Sequence, residues 1–156
     1  MKLRKMMVGF MVINSFFCFA FNDTLNILPS KLNVGDDISA LCIDTKTNSY
    51  ILSSSGQIAP CITLSEGLDH YIIAFLNNKI VAIFYPLVVI KNKNIVAGKT
   101  TIKEFKKLHP NCQLYEEIGF GYYYKLNGFD FVISIGNTGT DRLPIDDDII
   151  TSICKR

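Results

Sequence analysis

The residues with the most chemistry to offer are two histidines, His70 and His109, and the cysteines Cys42, Cys61, Cys112 and Cys154. There is no CxxC pair, and neither histidine keeps ligand spacing to a cysteine, so the pattern does not nominate a metal site. Ser53-Ser54-Ser55-Gly56 lacks the G-x-S-x-G setting of a serine nucleophile and any placed base, and reads as a polar turn. Asp146-Asp147-Asp148 lacks the D-x-D-x-D-G order of a calcium loop and reads as a solvated acidic turn. His109 stands before Pro110, where a helix must stop, and suits a helix C-terminus that favours partial positive charge. An enzyme needs a nucleophile, a base and an orienting group in one cleft. The sequence nominates no such set and no cofactor, so the chain is read as a non-enzyme. A carboxylate pair of glycosidase type is the one arrangement whose spacing only a fold can reveal.

The cysteines take their meaning from the N-terminus. Lys2, Arg4 and Lys5 form a basic start, Met6 to Phe17 is mostly apolar, and Cys18-Phe19-Ala20 offers small residues at the two positions a signal peptidase reads. The apolar run of about 15 residues is shorter than the ~20 a spanning helix needs, and Phe17 is too bulky for a lipobox. Residues 1–20 are therefore expected to be a signal peptide cleaved after Ala20. The destination is periplasmic or secreted, with no stable membrane anchor afterwards. An even number of cysteines in an exported chain points to two disulfides among three connectivities, with Cys42–Cys61 and Cys112–Cys154 favoured. Cleavage removes three of the 16 basic residues and none of the 14 acidic ones. The basic character thus belongs to the precursor, and with no Lys/Arg stripe nucleic acid is disfavoured as a partner.

Residues 21–156 suit one domain. The pattern is α+β: an antiparallel sheet with short helices. A weak helix is expected over Val34 to Cys42, capped by Asp37 with Ile38 and Leu41 facing inward. Tyr71 to Leu76 and Lys79 to Tyr85 read as a hairpin about Asn77-Asn78, ended by Pro86, and Lys91 to Asn94 as a polar connector. Thr101-Ile102-Lys103-Glu104 fits a capping box, with Ile102, Phe105 and Leu108 on the apolar side of the helix. Gln113 to Glu117 and Tyr122 to Leu126 read as strands. Asn127-Gly128 is the strongest turn signal, and Phe129 to Ile135 alternates as a strand with one buried side. Residues 149–154 are expected to form a final strand.

Two half-repeats emerge, about 32–86 and 95–136. Asp37-Ile38-Ser39-Ala40-Leu41 matches Thr101-Ile102-Lys103-Glu104-Phe105, and Leu76-Asn77-Asn78 matches Leu126-Asn127-Gly128. An exported chain of two helix-then-meander units, opened by Gly98-Lys99-Thr100-Thr101-Ile102 with Phe105 and more faintly by Gly35 to Leu41, resembles the β-lactamase inhibitor protein family. It is also similar to the small periplasmic lipoprotein domain of the outer-membrane assembly machinery. The resemblance implies a binding protein.

The expected function is an envelope protein-binding module, an inhibitor or an immunity protein against an envelope-acting enzyme or toxin. Tyr115, Tyr122, Tyr123 and Tyr124 are the candidate contact residues, since tyrosine is a frequent interface anchor. Asp141, Asp146, Asp147 and Asp148 could steer a basic partner. The alternatives are a small-ligand or lipid carrier walled by the Tyr71–Tyr85 hairpin and a small envelope hydrolase.

Overall fold

The structure is a computed structural model and describes residues 28–41, 49–52, 58–117, 121–135 and 142–156. The expected signal segment, Cys42, the Ser53–Ser55 turn and Asp141 lie outside these residues.

Among the described residues eight strands form one antiparallel sheet: β1 (Ser49–Leu52), β2 (Ile58–Glu66), β3 (Asp69–Leu76), β4 (Lys79–Tyr85), β7 (Leu114–Glu117), β8 (Gly121–Leu126), β9 (Phe129–Ile133) and β10 (Ser152–Lys155). The order across it is β1-β2-β3-β4-β10-β9-β8-β7. A separate hairpin, β5 (Leu87–Ile90) and β6 (Lys93–Val96), and one α-helix, α1 (Ile102–Leu108), connect its two sides. Among the described residues the fold is thus mainly β, 53% strand against 12% helix, and not the α+β class with several helices expected from the sequence. The helix expected at Val34 to Cys42 is a single 3-10 turn, Ile38–Leu41. One i, i+3 apolar pair is too little to offset the cost of nucleating a longer helix. Among the described residues no helix is long and apolar enough to cross a membrane.

Local chemistry explains most of the turns. Asn77 and Asn78 have φ of 49° and 61°, and Asn127 and Gly128 of 51° and 79°. Both pairs take the left-handed geometry that two-residue hairpins require. Lys91 and Asn92 do the same, with φ of 50° and 59°. The presumed polar connector is therefore the tip of the β5–β6 hairpin. β2, in the stretch that had read as least patterned, carries Pro60, which argues against a strand with partners on both sides. The β2–β3 ladder begins one residue later, at Cys61, so the missing N–H has no β3 partner there.

α1 starts at its capping box. The Glu104 amide donates to Thr101 Oγ1 at 3.2 Å, and the Thr101 amide donates to Glu104 Oε2 at 2.9 Å. Ile102 and Phe105 are fully buried. With Val88, Ile90 and Ile95 from the β5–β6 hairpin they pack on Tyr122, Tyr124, Phe131, Ile133 and Ile153 of the sheet. A second cluster sets Leu32 and Ile38 against Tyr71, Ile73, Phe75, Ile80 and Ile83 on the β3–β4 side. One face of the Tyr71–Tyr85 hairpin, with Tyr71, Ile73 and Phe75, is taken up by these core contacts. On the opposite face, Ala59, Cys61 and Ala74 are buried beside half-buried Ile72 and Ala82.

The sheet reads alike outward from its centre, β4-β3-β2-β1 one way and β10-β9-β8-β7 the other. Backbone hydrogen bonds follow suit. Gly35 N–H donates to the Ile80 carbonyl and Gly98 N–H to that of Ile150, both at 2.8 Å. Ile80 N–H donates to Asp36 and Ile150 N–H to Thr100, both at 2.9 Å, while Ile38 and Ile102 donate to Asn78 and Asp148, again both at 2.9 Å. These bonds make β10 the counterpart of β4, which by the order of the strands makes the β2–β3 turn the counterpart of Asn127-Gly128. The sequence match of Asn77-Asn78 with Asn127-Gly128 therefore joins turns that occupy different places in the sheet. Residues 95–136 also stop short of β10, the strand that corresponds to β4.

Candidate functional site

The best-defined polar constellation lies on the sheet face away from α1. Side chains alternate along a strand, so Phe129, Phe131 and Ile133 of β9 point into the α1 side while Asp130 and Val132 point the other way. β8 splits its tyrosines likewise. Tyr122 and Tyr124 are buried in the core, whereas Tyr123 is half-buried and pairs across with Val132 and Tyr115. Of the four candidate contact tyrosines, then, only Tyr115 and Tyr123 share the outer face.

Their rings stack with centroids 5.5 Å apart and planes 20° from parallel. The Arg156 guanidinium lies 5.2 Å from the Tyr123 ring centre, within cation–π range. Two carboxylates hold that guanidinium: its Nε donates to Asp130 Oδ2 at 2.6 Å, and an Nη donates to Glu117 Oε2 at 2.5 Å. Burial opposes the charge on Arg156, but the hydrogen bonds to Glu117 and Asp130 outweigh it and its pKa rises. Asp130 is 2% exposed, and its Oδ1 has no hydrogen-bond partner among the described residues. Tyr115 is 39% exposed and sits on β7, at one end of the sheet. A rigid aromatic pair with a charged end cap results. It offers contact area and hydrogen bonding and has no nucleophile in it.

The acidic candidates are placed elsewhere. Asp146 accepts from Lys106 Nζ at 3.0 Å, and Asp148 accepts from the Arg142 guanidinium and from the Ile145 amide. Arg142 holds the Asp148 carboxyl below the usual carboxylate range. Asp147 is exposed. With Asp146 and Asp148 already paired to cations, the field this turn offers an incoming basic partner is small. Asp130, Arg156 and Glu117 had not been singled out in the sequence. The only clue to Asp130 was its place on the non-core side of an alternating strand.

Other potential chemistry is sparse. Ser65 Oγ and His70 Nδ1 lie 2.9 Å apart as an exposed cross-strand pair of the β2–β3 hairpin. His109 is 6% exposed against Phe105, and burial, aided by Lys91, lowers its pKa. Among the described residues no three His, Cys, Asp or Glu side chains are grouped to hold a metal ion.

Cys61, Cys112 and Cys154 carry free thiols in the structure, so the expected Cys112–Cys154 bridge is not formed. Cys112 packs against the core cluster that contains Ile153, while Cys154, the next residue along β10, points to the other face beside Asp130. The sheet itself separates the two sulfurs. Burial pushes the Cys154 thiol up to about 12 and raises Cys61 and Cys112 as well. Since the thiolate is the reactive form, native protein should alkylate at half-buried Cys112 well before Cys61 and Cys154. Mass spectrometry after maleimide treatment with and without denaturant checks this order. A Cys112–Cys154 crosslinked peptide in the unreduced digest would overturn it.

No protein-family model, curated protein or solved structure matches the chain.

Proposed function

We propose that this chain is an exported protein-binding module, an inhibitor or immunity protein that acts on an envelope enzyme or toxin. The observation that carries the reading is the Tyr115–Tyr123–Arg156 stack, fixed from behind by Asp130 and Glu117. Tyrosine and arginine are enriched among residues that dominate interface energies. Side chains already ordered in the free protein lose less entropy on binding, which favours affinity. The basic-apolar N-terminus supports export.

The test is affinity capture from an envelope extract with tagged protein, wild type against Tyr115→Ala and Tyr123→Ala. A single stoichiometric partner is expected with wild type. Removing one interface anchor of this type costs about 2 kcal/mol, roughly 30-fold in affinity, so capture should fall sharply in either variant. Equal capture by both folded variants would place the contact elsewhere. Absence of any stoichiometric partner would remove the proposal.

A further inference from the structure

Between Lys91 and Lys107 the chain carries six lysines and one acidic residue, Glu104. In sequence these charges read as a connector and the solvated side of a helix. The fold brings them together. The β5–β6 hairpin and α1 enclose a groove of about 410 Å³ lined by Lys93, Lys99 and Lys107 together with Asn94, Thr100 and Glu104. Lys91 reaches the end of the same helix, its Nζ donating to the Leu108 carbonyl at 3.4 Å. Lys103 stands one turn before Lys107 on that helix. Lys106 is drawn aside, to Asp146. Glu104 accepts from the Thr101 amide and hydroxyl and keeps its negative charge, so three lysines against one carboxylate leave the groove with an excess of positive charge.

The lining favours a surface over a small soluble anion. Lys93, Asn94, Lys99, Glu104 and Lys107 are all exposed, so a small ligand would keep most of its water. The stretch contains no arginine for bidentate recognition, and lysine ammonium groups are hydrated point charges suited to a diffuse anionic layer. One apolar side chain, the half-buried Leu108, lines the groove with them. Exposed Val89 leaves the hairpin on the face opposite Lys93, which pairs across with Ile90. A lysine cluster with an apolar residue in its midst suits the headgroup region of an anionic bilayer.

We infer that the β5–β6 hairpin and α1 dock on an anionic phospholipid surface. α1 packs on one face of the sheet and the Tyr115–Tyr123–Arg156 stack lies on the other, so both can be engaged at once. The inference stands independently of the protein-binding proposal.

The chain contains no tryptophan, so Leu108→Trp, at a residue that lines the groove, supplies a single local reporter in the full-length protein. Its emission should shift to the blue on vesicles of phosphatidylcholine containing phosphatidylglycerol, and the shift should reverse in about 1 M salt, where screening reaches only a few ångströms. Phosphatidylcholine alone should leave it unchanged. In the same background, Lys93→Gln with Lys107→Gln should weaken partitioning about 30-fold, from the usual worth of a lysine near an anionic surface. Lys91→Gln with Lys99→Gln is the replacement pair if the first loses its native circular dichroism. No shift on anionic vesicles, an equal shift on neutral ones, or undiminished partitioning in a folded double variant would overturn the inference. The same shift produced by inorganic phosphate or by polyglutamate at matched ionic strength would also overturn it, in favour of a free anion or an acidic protein.

Discussion

Replacing Phe105 with alanine is expected to lower the free energy of unfolding by about 3–5 kcal/mol, the usual range for a fully buried aromatic ring. Phe105 is 0% exposed, and its ring meets those of Phe131 at 4.8 Å and of Tyr124 and His109 at 5.2 Å each, centre to centre. No other residue joins α1 to two neighbouring strands of the sheet through aromatic contacts among those described. A helix of seven residues has almost no stability of its own in water. The capping box orders its first turn, but the pull onto the sheet comes from Ile102 and Phe105. Loss of the ring leaves a cavity between α1, β8 and β9 and removes the main reason for the helix to dock. Urea unfolding at equilibrium, with Lys103→Ala as a surface control, measures the effect. A change under about 1 kcal/mol would mean that the surrounding side chains collapse into the space without loss.

Arg156→Ala is expected to cost about 3 kcal/mol, because it strands a carboxylate that the fold has removed from water. The Asp130 side chain is 3% exposed and that of Arg156 is 27% exposed. The two partners are therefore not equivalent. When Asp130 is removed, the guanidinium keeps Glu117 and some access to water. When Arg156 is removed, Asp130 keeps neither. Asp130→Ala should accordingly be milder than Arg156→Ala, and the double variant should be more stable than the sum of the single losses allows. Denaturant titrations of all four proteins close this cycle. If Arg156→Ala and wild type unfold at the same midpoint, another group satisfies Asp130. The same variant should release the Tyr123 ring from its cation, which links stability at this site to the proposed binding face.

Much of the local structure could be read from residue types. Thr101 and Glu104 place the start of α1 and Pro110 its end, because capping and proline geometry act over three or four residues. Asn77-Asn78 and Asn127-Gly128 mark two hairpin tips because few residues tolerate positive φ at both central positions. The third tip, Lys91-Asn92, went unread since lysine seldom takes that conformation, and Pro60 disguised β2 for the reason already given. The aromatic and Asp130 faces of β9 were likewise present in its alternation.

What the chain alone determines about this protein is thus short-range: the capped helix, the turn tips, and which strand residues oppose one another. Tertiary structure decided the rest. It inserted β10 between β4 and β9, carrying Arg156 to Asp130, 26 residues away in sequence. It divided the tyrosines into Tyr122 and Tyr124 in the core and Tyr115 and Tyr123 outside, and it gathered Lys91, Lys93, Lys99 and Lys107 about one groove. Dihedral preferences and capping bonds reach only a few residues. The choice of strand neighbours depends on how much apolar surface the whole sheet can bury, and no local pattern records it.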